Sequence, residues 1–387
     1  MPRSTRSLRL RPVAACAGGA LVLAAVLSGC STDDEGGGSA SGDDVVDVTA
    51  GDDSCDLSDT DLQAGVQTFE VTNEGSQVTE FYVYAEGDRI MQEVENIGPG
   101  LSRELRVELP AGDYEGACKP GMVGDGIRTG ISVSGEQAEP LSDSEELTQA
   151  ADDYSRYVET QSKSLITLTE QFVDLVKEGD VEGAKQLFPL ARTPWERIEP
   201  VAEIFGDLDP AVDARVNDVA QGDEWTGYHR IEKQLWVAGN TQGMEPLADR
   251  LLADVQEVVR LAAEEPLTAL QLAEGSKALL DEVATGKITG EEDRYSHTDL
   301  WDFAANVEGS KAAIAALRPV LEDRDPKLLA EIDDGFADVE ALLDEQREGD
   351  GYVLYTDLSQ DEIQAFADAV AALSESVSQV AAVVAGQ

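Results

Sequence analysis

The chain has 387 residues, 42% of them hydrophobic, and its 78 acids against 28 bases give a formal charge of −50. The apolar content is enough for real cores, which excludes disorder throughout, and the charge excludes nucleic acid and anionic lipid headgroups as natural ligands because phosphates are repelled. Four Cys and two His exclude a disulfide-dense scaffold and a zinc ribbon, so any imidazole chemistry must use His229 or His297.

Residues 1–29 read as an export signal. Arg3, Arg6, Arg9 and Arg11 make a positive start, and the apolar run over 13–26 is shorter than the roughly 20 residues that cross a bilayer. Leu27-Ser28-Gly29-Cys30 matches the lipobox of bacterial lipoproteins, in which small residues admit the peptidase and the Cys30 thiol carries the lipid. Residues 30–44, rich in Gly, Ser and Asp, follow as a flexible tether. Cleavage takes four arginines and no acid from the formal −50, so the remainder carries −54. Cys16 is lost and Cys30 lipidated, which leaves Cys55 and Cys118 as the thiols of the folded part. The compartment is extracytoplasmic and oxidising, at the face of the cell membrane.

Residues 45–137 have β character. Polar and apolar residues alternate in Thr68-Phe69-Glu70-Val71-Thr72, Glu80-Phe81-Tyr82-Val83-Tyr84, Leu105-Arg106-Val107-Glu108-Leu109 and Gly130-Ile131-Ser132-Val133. Turn signals such as Asn73-Glu74-Gly75 and Pro110-Ala111-Gly112-Asp113 separate these runs, as in a small β-sandwich. From 143 to 387 the period becomes helical, with segments near 145–178, 181–206, 224–239, 244–263, 266–285, 299–322, 326–347 and 360–385. That number of helices predicts an all-α bundle of two four-helix units.

Three pairs in the helical half stand three residues apart, and so share a helix face. They are Glu196 and Glu199, His229 and Glu232, and Asp299 and Asp302. Carboxylates and an imidazole from several helices are how metal sites are built in bundle cores, and such a donor set suits iron, manganese or zinc. Each pair also has a plainer reading. Thr193-Pro194-Trp195-Glu196 fits a capping box, Asp299 fits a first-turn acid after a Thr298 cap, and His229 with Glu232 fits a surface pair. Pro200 predicts a kink, because it leaves the Glu196 carbonyl without its helical donor. Trp225, Tyr228 and Trp236 form an aromatic setting that turns His229 inward, while His297 fits a cap-region residue.

Gly227-Tyr228-His229-Arg230-Ile231-Glu232, with Thr193-Pro194-Trp195-Glu196-Arg197-Ile198-Glu199-Pro200 before it and Tyr295-Ser296-His297-Thr298-Asp299-Leu300-Trp301-Asp302-Phe303 after it, closely resembles the EfeO family. Its members are extracytoplasmic components of a three-part bacterial iron-uptake system. The resemblance implies a cupredoxin-like domain followed by an imelysin-like helical domain with a His-x-x-Glu metal site. It implies His229 and Glu232 as ligands, with Glu196, Glu199, Asp299 and Asp302 as acidic partners. It also implies an iron permease and a haem-containing, dye-decolourising-type peroxidase as partners. Iron, ferrous or ferric, is the expected metal, with copper or zinc as alternatives.

In the β domain the resemblance implies a further metal site from Cys55, Cys118 and Met122 with acids among Glu80, Glu93 and Glu95. A disulfide between Cys55 and Cys118 is the competing expectation. Blue copper is excluded, since it needs two His and the β domain has none. The leading function is therefore a lipid-anchored iron-binding protein that coordinates iron and delivers it to a permease, not an enzyme. A ferroxidase-like copper and iron redox protein is the alternative. A metal-dependent peptidase is the weakest, because a zincin helix carries His-Glu-x-x-His and the second His is missing here.

Overall fold

The computed structural model describes residues 45–136, 140–206, 208–219, 222 and 224–386. The export signal, Cys30 and the tether lie outside the described residues.

Nine strands make the first half: β1 Val45–Ala50, β2 Cys55–Leu57, β3 Asp61–Gln63, β4 Gly65–Asn73, β5 Thr79–Tyr84, β6 Ile90–Ile97, β7 Ser102–Leu109, β8 Gly112–Cys118 and β9 Ile127–Ser134. They form two sheets, ordered β2-β1-β4-β7 and β3-β9-β8-β5-β6. Pairing is antiparallel except for β1 with β4 and β3 with β9. The alternation seen in the sequence sends Val46, Val48, Phe69, Val71, Phe81, Val83, Leu105, Val107, Ile131 and Val133 into one core between the sheets. Strand β5 departs from the pattern because both of its faces are buried. Phe81 and Val83 face the sandwich core, whereas Glu80, Tyr82 and Tyr84 line a cavity shared with the helical half.

Cys55 and Cys118 form a disulfide that ties β2 of one sheet to β8 of the other. Of the two expectations for this pair, the structure has the disulfide and not the metal ligands. Both sulfurs are committed to each other and both residues are buried, so neither offers a thiolate.

The helical half contains α1 Glu145–Glu178, α2 Val181–Glu196, α3 Glu199–Ala202, α4 Leu208–Asp213, α5 Gly227–Lys233, α6 Glu245–Ala262, α7 Ala269–Thr285, α8 Asp299–Arg324, α9 Pro326–Glu345, α10 Gln360–Val377 and α11 Val380–Ala385. Helices α1, α2 and α6 pack together, α7 to α10 pack together, and α8 also reaches α1 and α2. One continuous apolar core runs from Leu147 to Val384. Ser144 caps α1 and left-handed Gly179 ends it, while Thr268 and Gln271 form a capping box on α7.

The expected helix over 181–206 is broken into α2, α3 and a 3₁₀ turn at Glu203–Phe205. Ile198 leaves helical geometry at φ −125° and ψ 12°. Proline at 200 cannot supply the amide that the Glu196 carbonyl needs, and the Asn306 side chain of α8 supplies it instead at 2.8 Å. Helix α8 comes this close because residue 309 is Gly. A Cβ there would lie 2.5 Å from the Arg197 carbonyl oxygen. The expected capping box at Thr193 does not form. Thr193 lies inside α2 and its hydroxyl donates to the Pro189 carbonyl at 2.9 Å.

The disulfide closes a loop across 63 residues, and loop entropy assigns it about 4 kcal/mol. A thiol titration of the unreduced, denatured polypeptide of residues 45–387 is expected to find no reactive thiol. The Cys55→Ala, Cys118→Ala double variant is expected to unfold at lower urea, and equal stability would contradict the staple.

Candidate metal centre

His229 sits in the first turn of α5. Gly227 opens that helix with φ +82°, a left-handed conformation that favours glycine, and a Cβ there would lie 2.1 Å from the Val212 carbonyl oxygen. Thus α5 starts directly against the end of α4. Tyr228 anchors the turn in the core beside Phe172 and Phe188, with its hydroxyl 2.6 Å from that of Thr169. The imidazole is consequently buried, at 1% exposure.

The helical spacing places Glu232 Oε2 3.1 Å from His229 Nδ1. Glu232 Oε1 accepts two backbone bonds, from the amides of Tyr295 at 2.8 Å and Ser296 at 2.7 Å. These bonds fix the loop before α8 over the imidazole. That loop brings Glu292 Oε1 to 3.5 Å from His229 Nε2 and Asp293 Oδ1 to 3.8 Å from Nδ1. The end of α4 brings Asp213 Oδ1 to 3.7 Å from Nε2. Two ligand groups therefore share the ring: Asp213, His229 and Glu292 at one edge, and His229, Glu232 and Asp293 at the other.

Of the pairs read from the sequence, His229 and Glu232 meet as expected. Asp299 and Asp302 occupy the first turn of α8, fully buried, but belong to neither ligand group. Thr298 makes no side-chain cap on α8. Its hydroxyl donates to Asp293 instead. Glu196 and Glu199 also belong to neither ligand group, and Glu196 pairs with Arg192. Lys287 Nζ stands 2.8 Å from Glu196 and 3.2 Å from Glu199, and Asn306 donates to both at 3.2 Å. His297 adopts φ +61° and acts through its backbone, donating to Asp293 and accepting from Tyr355.

Asp213, Glu292, Asp293, Arg192 and Lys287 escaped sequence reasoning. The acidic run Glu291-Glu292-Asp293 just before the recognised motif was a signal for two of them. Asp213 had none, being one acid among 78.

Several buried polar atoms of the centre are left unmatched. His229 Nε2, Asp293 Oδ1, Asp299 Oδ2 and Asp302 Oδ1 are buried without a hydrogen-bond partner. Native proteins seldom leave such atoms orphaned, and oxygens with one imidazole nitrogen are a donor set for hard and borderline cations. Burial and the Arg192 charge disfavour imidazolium, yet Asp213, Glu232 and Glu292 outweigh them and push His229 up to about 10. Burial, then the charges of Glu292 and Glu232, push Asp299 up to about 7.

The centre opens onto a cavity of about 570 Å³ between the two halves. Asp213, Glu292 and Glu199 line it from one side, and Glu80, Glu93, Glu95 and Met122 line it from the other. The hydroxyl of Tyr82 stands 2.9 Å from Glu80 and 3.3 Å from Glu95. Chiefly through burial, Glu80 is pushed up to about 7, Glu93 to about 8 and Asp209 to about 8.

Residues 150–380 match the imelysin family and residues 19–131 match the cupredoxin-like domain family. The chain is similar to proteins called "Iron uptake system component EfeO". It is 37% identical to that of Escherichia coli O157:H7 and 36% identical to those of Escherichia coli K12 and Shigella flexneri. Each alignment covers 87% of this chain and 90% of the relative.

Glu80, Glu93, Asp209 and His229 all hold protons in the fold at a pH where the unfolded chain has released them. Their contribution to stability is full below the unfolded values and is lost as pH rises through the folded ones. The melting temperature of metal-stripped protein is therefore expected to fall from about pH 5 to about pH 8. A rise over that window in differential scanning fluorimetry would contradict these protonation states.

Proposed function

Because the chain belongs to the EfeO family of iron uptake system components, we propose that it binds iron as cargo around His229 and delivers it to a permease in the membrane. The observation that carries this reading is the orphaned Nε2 of a buried imidazole among carboxylates, beside a cavity that gives a cation a way in. His229 supplies the nitrogen, giving up its ring proton as the cation binds. Glu232 is the ligand carried over from the family motif, and Asp213, Glu292 and Asp293 are the acids that join it. Asp299 and Asp302 add charge behind them, while Glu196 and Glu199 hold Lys287 and so shape the wall of the centre.

On this reading the protein is extracytoplasmic, held to the membrane by lipid on Cys30, and works with a permease and a haem-containing peroxidase. Its work is coordination and release, not bond breaking. A peptidase would need a free general base. The residue after His229, where His-Glu-x-x-His carries that base, is Arg230, and both oxygens of Glu232 are bonded, to two amides and to His229. Ferroxidase chemistry in the β half loses its thiolate ligands to the disulfide, which leaves Glu80, Glu93, Glu95 and Met122. Those acids face Asp209 and Glu282 across the cavity, and the fraction of them that is ionised draws cations toward His229.

Isothermal titration of metal-stripped protein with ferrous, ferric, manganous, zinc and cupric ions tests this. Iron is expected to bind tighter than about 100 μM, and His229→Ala to abolish it. Absence of iron binding, or full binding by His229→Ala, would contradict the site.

A further inference from the structure

Arg192 projects from α2 into the metal centre with no exposed surface. Its guanidinium bonds Asp213 Oδ1 and Glu196 Oε1, and stands 3.2 Å from Glu292 Oε1, 3.4 Å from Asp302 Oδ2 and 3.6 Å from Asp293 Oδ1. Five carboxylates thus converge on one cation.

Three of those oxygens are the same atoms that face His229. Asp213 Oδ1 and Glu292 Oε1 stand opposite Nε2, and Asp293 Oδ1 stands opposite Nδ1. At the Nε2 edge both ligand oxygens already face the guanidinium, and at the Nδ1 edge that of Asp293 does. Arginine does not lose its proton in a protein, so its charge cannot be removed to make room. A metal cation among these oxygens would meet a like charge at contact distance.

Arg192 has somewhere else to go. Glu196 Oε1 and Asp302 Oδ2 belong to neither ligand group. Lys287 serves the Glu196 side and touches no ligand of His229 among the described contacts.

We propose that Arg192 is a built-in competitor of the cargo cation. It neutralises the ligand oxygens until a cation arrives, withdraws toward Glu196 and Asp302 when the cation binds, and reclaims the oxygens on release. This inference rests on the reading of the centre as a cation site. Its consequence is a reversible affinity. A cage of buried carboxylates with no resident cation would hold iron too tightly to hand on, whereas exchange against a guanidinium returns part of the binding energy. A merely structural counter-ion makes the opposite prediction, because its loss would leave cation binding unchanged or weaker.

The test uses polypeptide 45–387, metal-stripped, as wild type, Arg192→Gln and Arg192→Lys. Manganous and zinc ions are titrated calorimetrically, and a melting curve without metal reports folding. Arg192→Gln is expected to bind both ions about tenfold tighter or more, at unchanged stoichiometry, and to melt lower without metal. Arg192→Lys keeps the charge but lacks the fork that spans Asp213 and Glu292, so its affinity is expected between the two. If Arg192→Gln does not fold without metal, Arg192→Lys decides. Binding equal to or weaker than wild type in a folded variant overturns the role of Arg192 alone. Wild-type protein that binds neither these ions nor iron overturns the cation site itself, and this inference with it.

Discussion

A carboxylate taken out of water costs several kcal/mol unless a positive charge or a set of donors meets it. Glu196, Asp213, Glu232, Glu292, Asp293, Asp299 and Asp302 are all buried in one region, where Arg192, Lys287 and His229 are the buried cations among the described residues. Much of the local architecture follows from that shortage. Two amides of the loop before α8 turn toward Glu232, and the Thr298 hydroxyl abandons its cap to reach Asp293. Asn306 spans from α8 to Glu196 and Glu199. Even so, one imidazole nitrogen and three carboxylate oxygens stay without a hydrogen-bond partner. A fold that tolerates this deficit is suited to a ligand that is itself a cation.

The break after α2 belongs to the same logic. A straight helix over 181–206 would carry Glu199 onward along the α2 axis. Pro200 ends that axis, Ile198 turns the chain, and Asn306 satisfies the carbonyl left behind. The turn keeps Glu199, Glu203 and Asp209 at the cavity wall, opposite the outer face of β5 and β6. The β half therefore contributes more than a separate core. Glu80, Glu93 and Glu95 complete an acidic chamber that Asp213 and Glu292 of the His229 centre also line, and burial holds protons on part of it at neutral pH.

The sandwich and the helical segments were legible because their periods are set by local geometry, two residues in a strand and 3.6 in a helix. The His229 and Glu232 pair was legible for the same reason, since one turn of helix brings both to one point. The recognised motifs located the rest of the centre only coarsely. Glu196 and Glu199 have the right spacing, yet they pair with Arg192 and Lys287 and join neither ligand group around the imidazole, and no periodicity encodes that. Asp213, Glu292 and Asp293 come from the end of a short helix and from a loop, so their approach to His229 depends on tertiary packing. The Thr193 cap was misread because Thr-Pro-x-Glu marks a helix start locally, whereas here Pro189 and Pro194 are carried within α2 by the packed core around Phe188 and Trp195. The choice between a disulfide and thiolate ligands was open in the sequence, and the facing positions of β2 and β8 resolve it.

The central claim is that one imidazole and several carboxylates hold iron, with no sulfur. X-ray absorption at the iron edge of the loaded full-length protein tests it most directly. The account predicts a shell of oxygens with a single imidazole, which disappears in His229→Ala. A sulfur scatterer at about 2.3 Å, or an iron shell unaltered in His229→Ala, would contradict it.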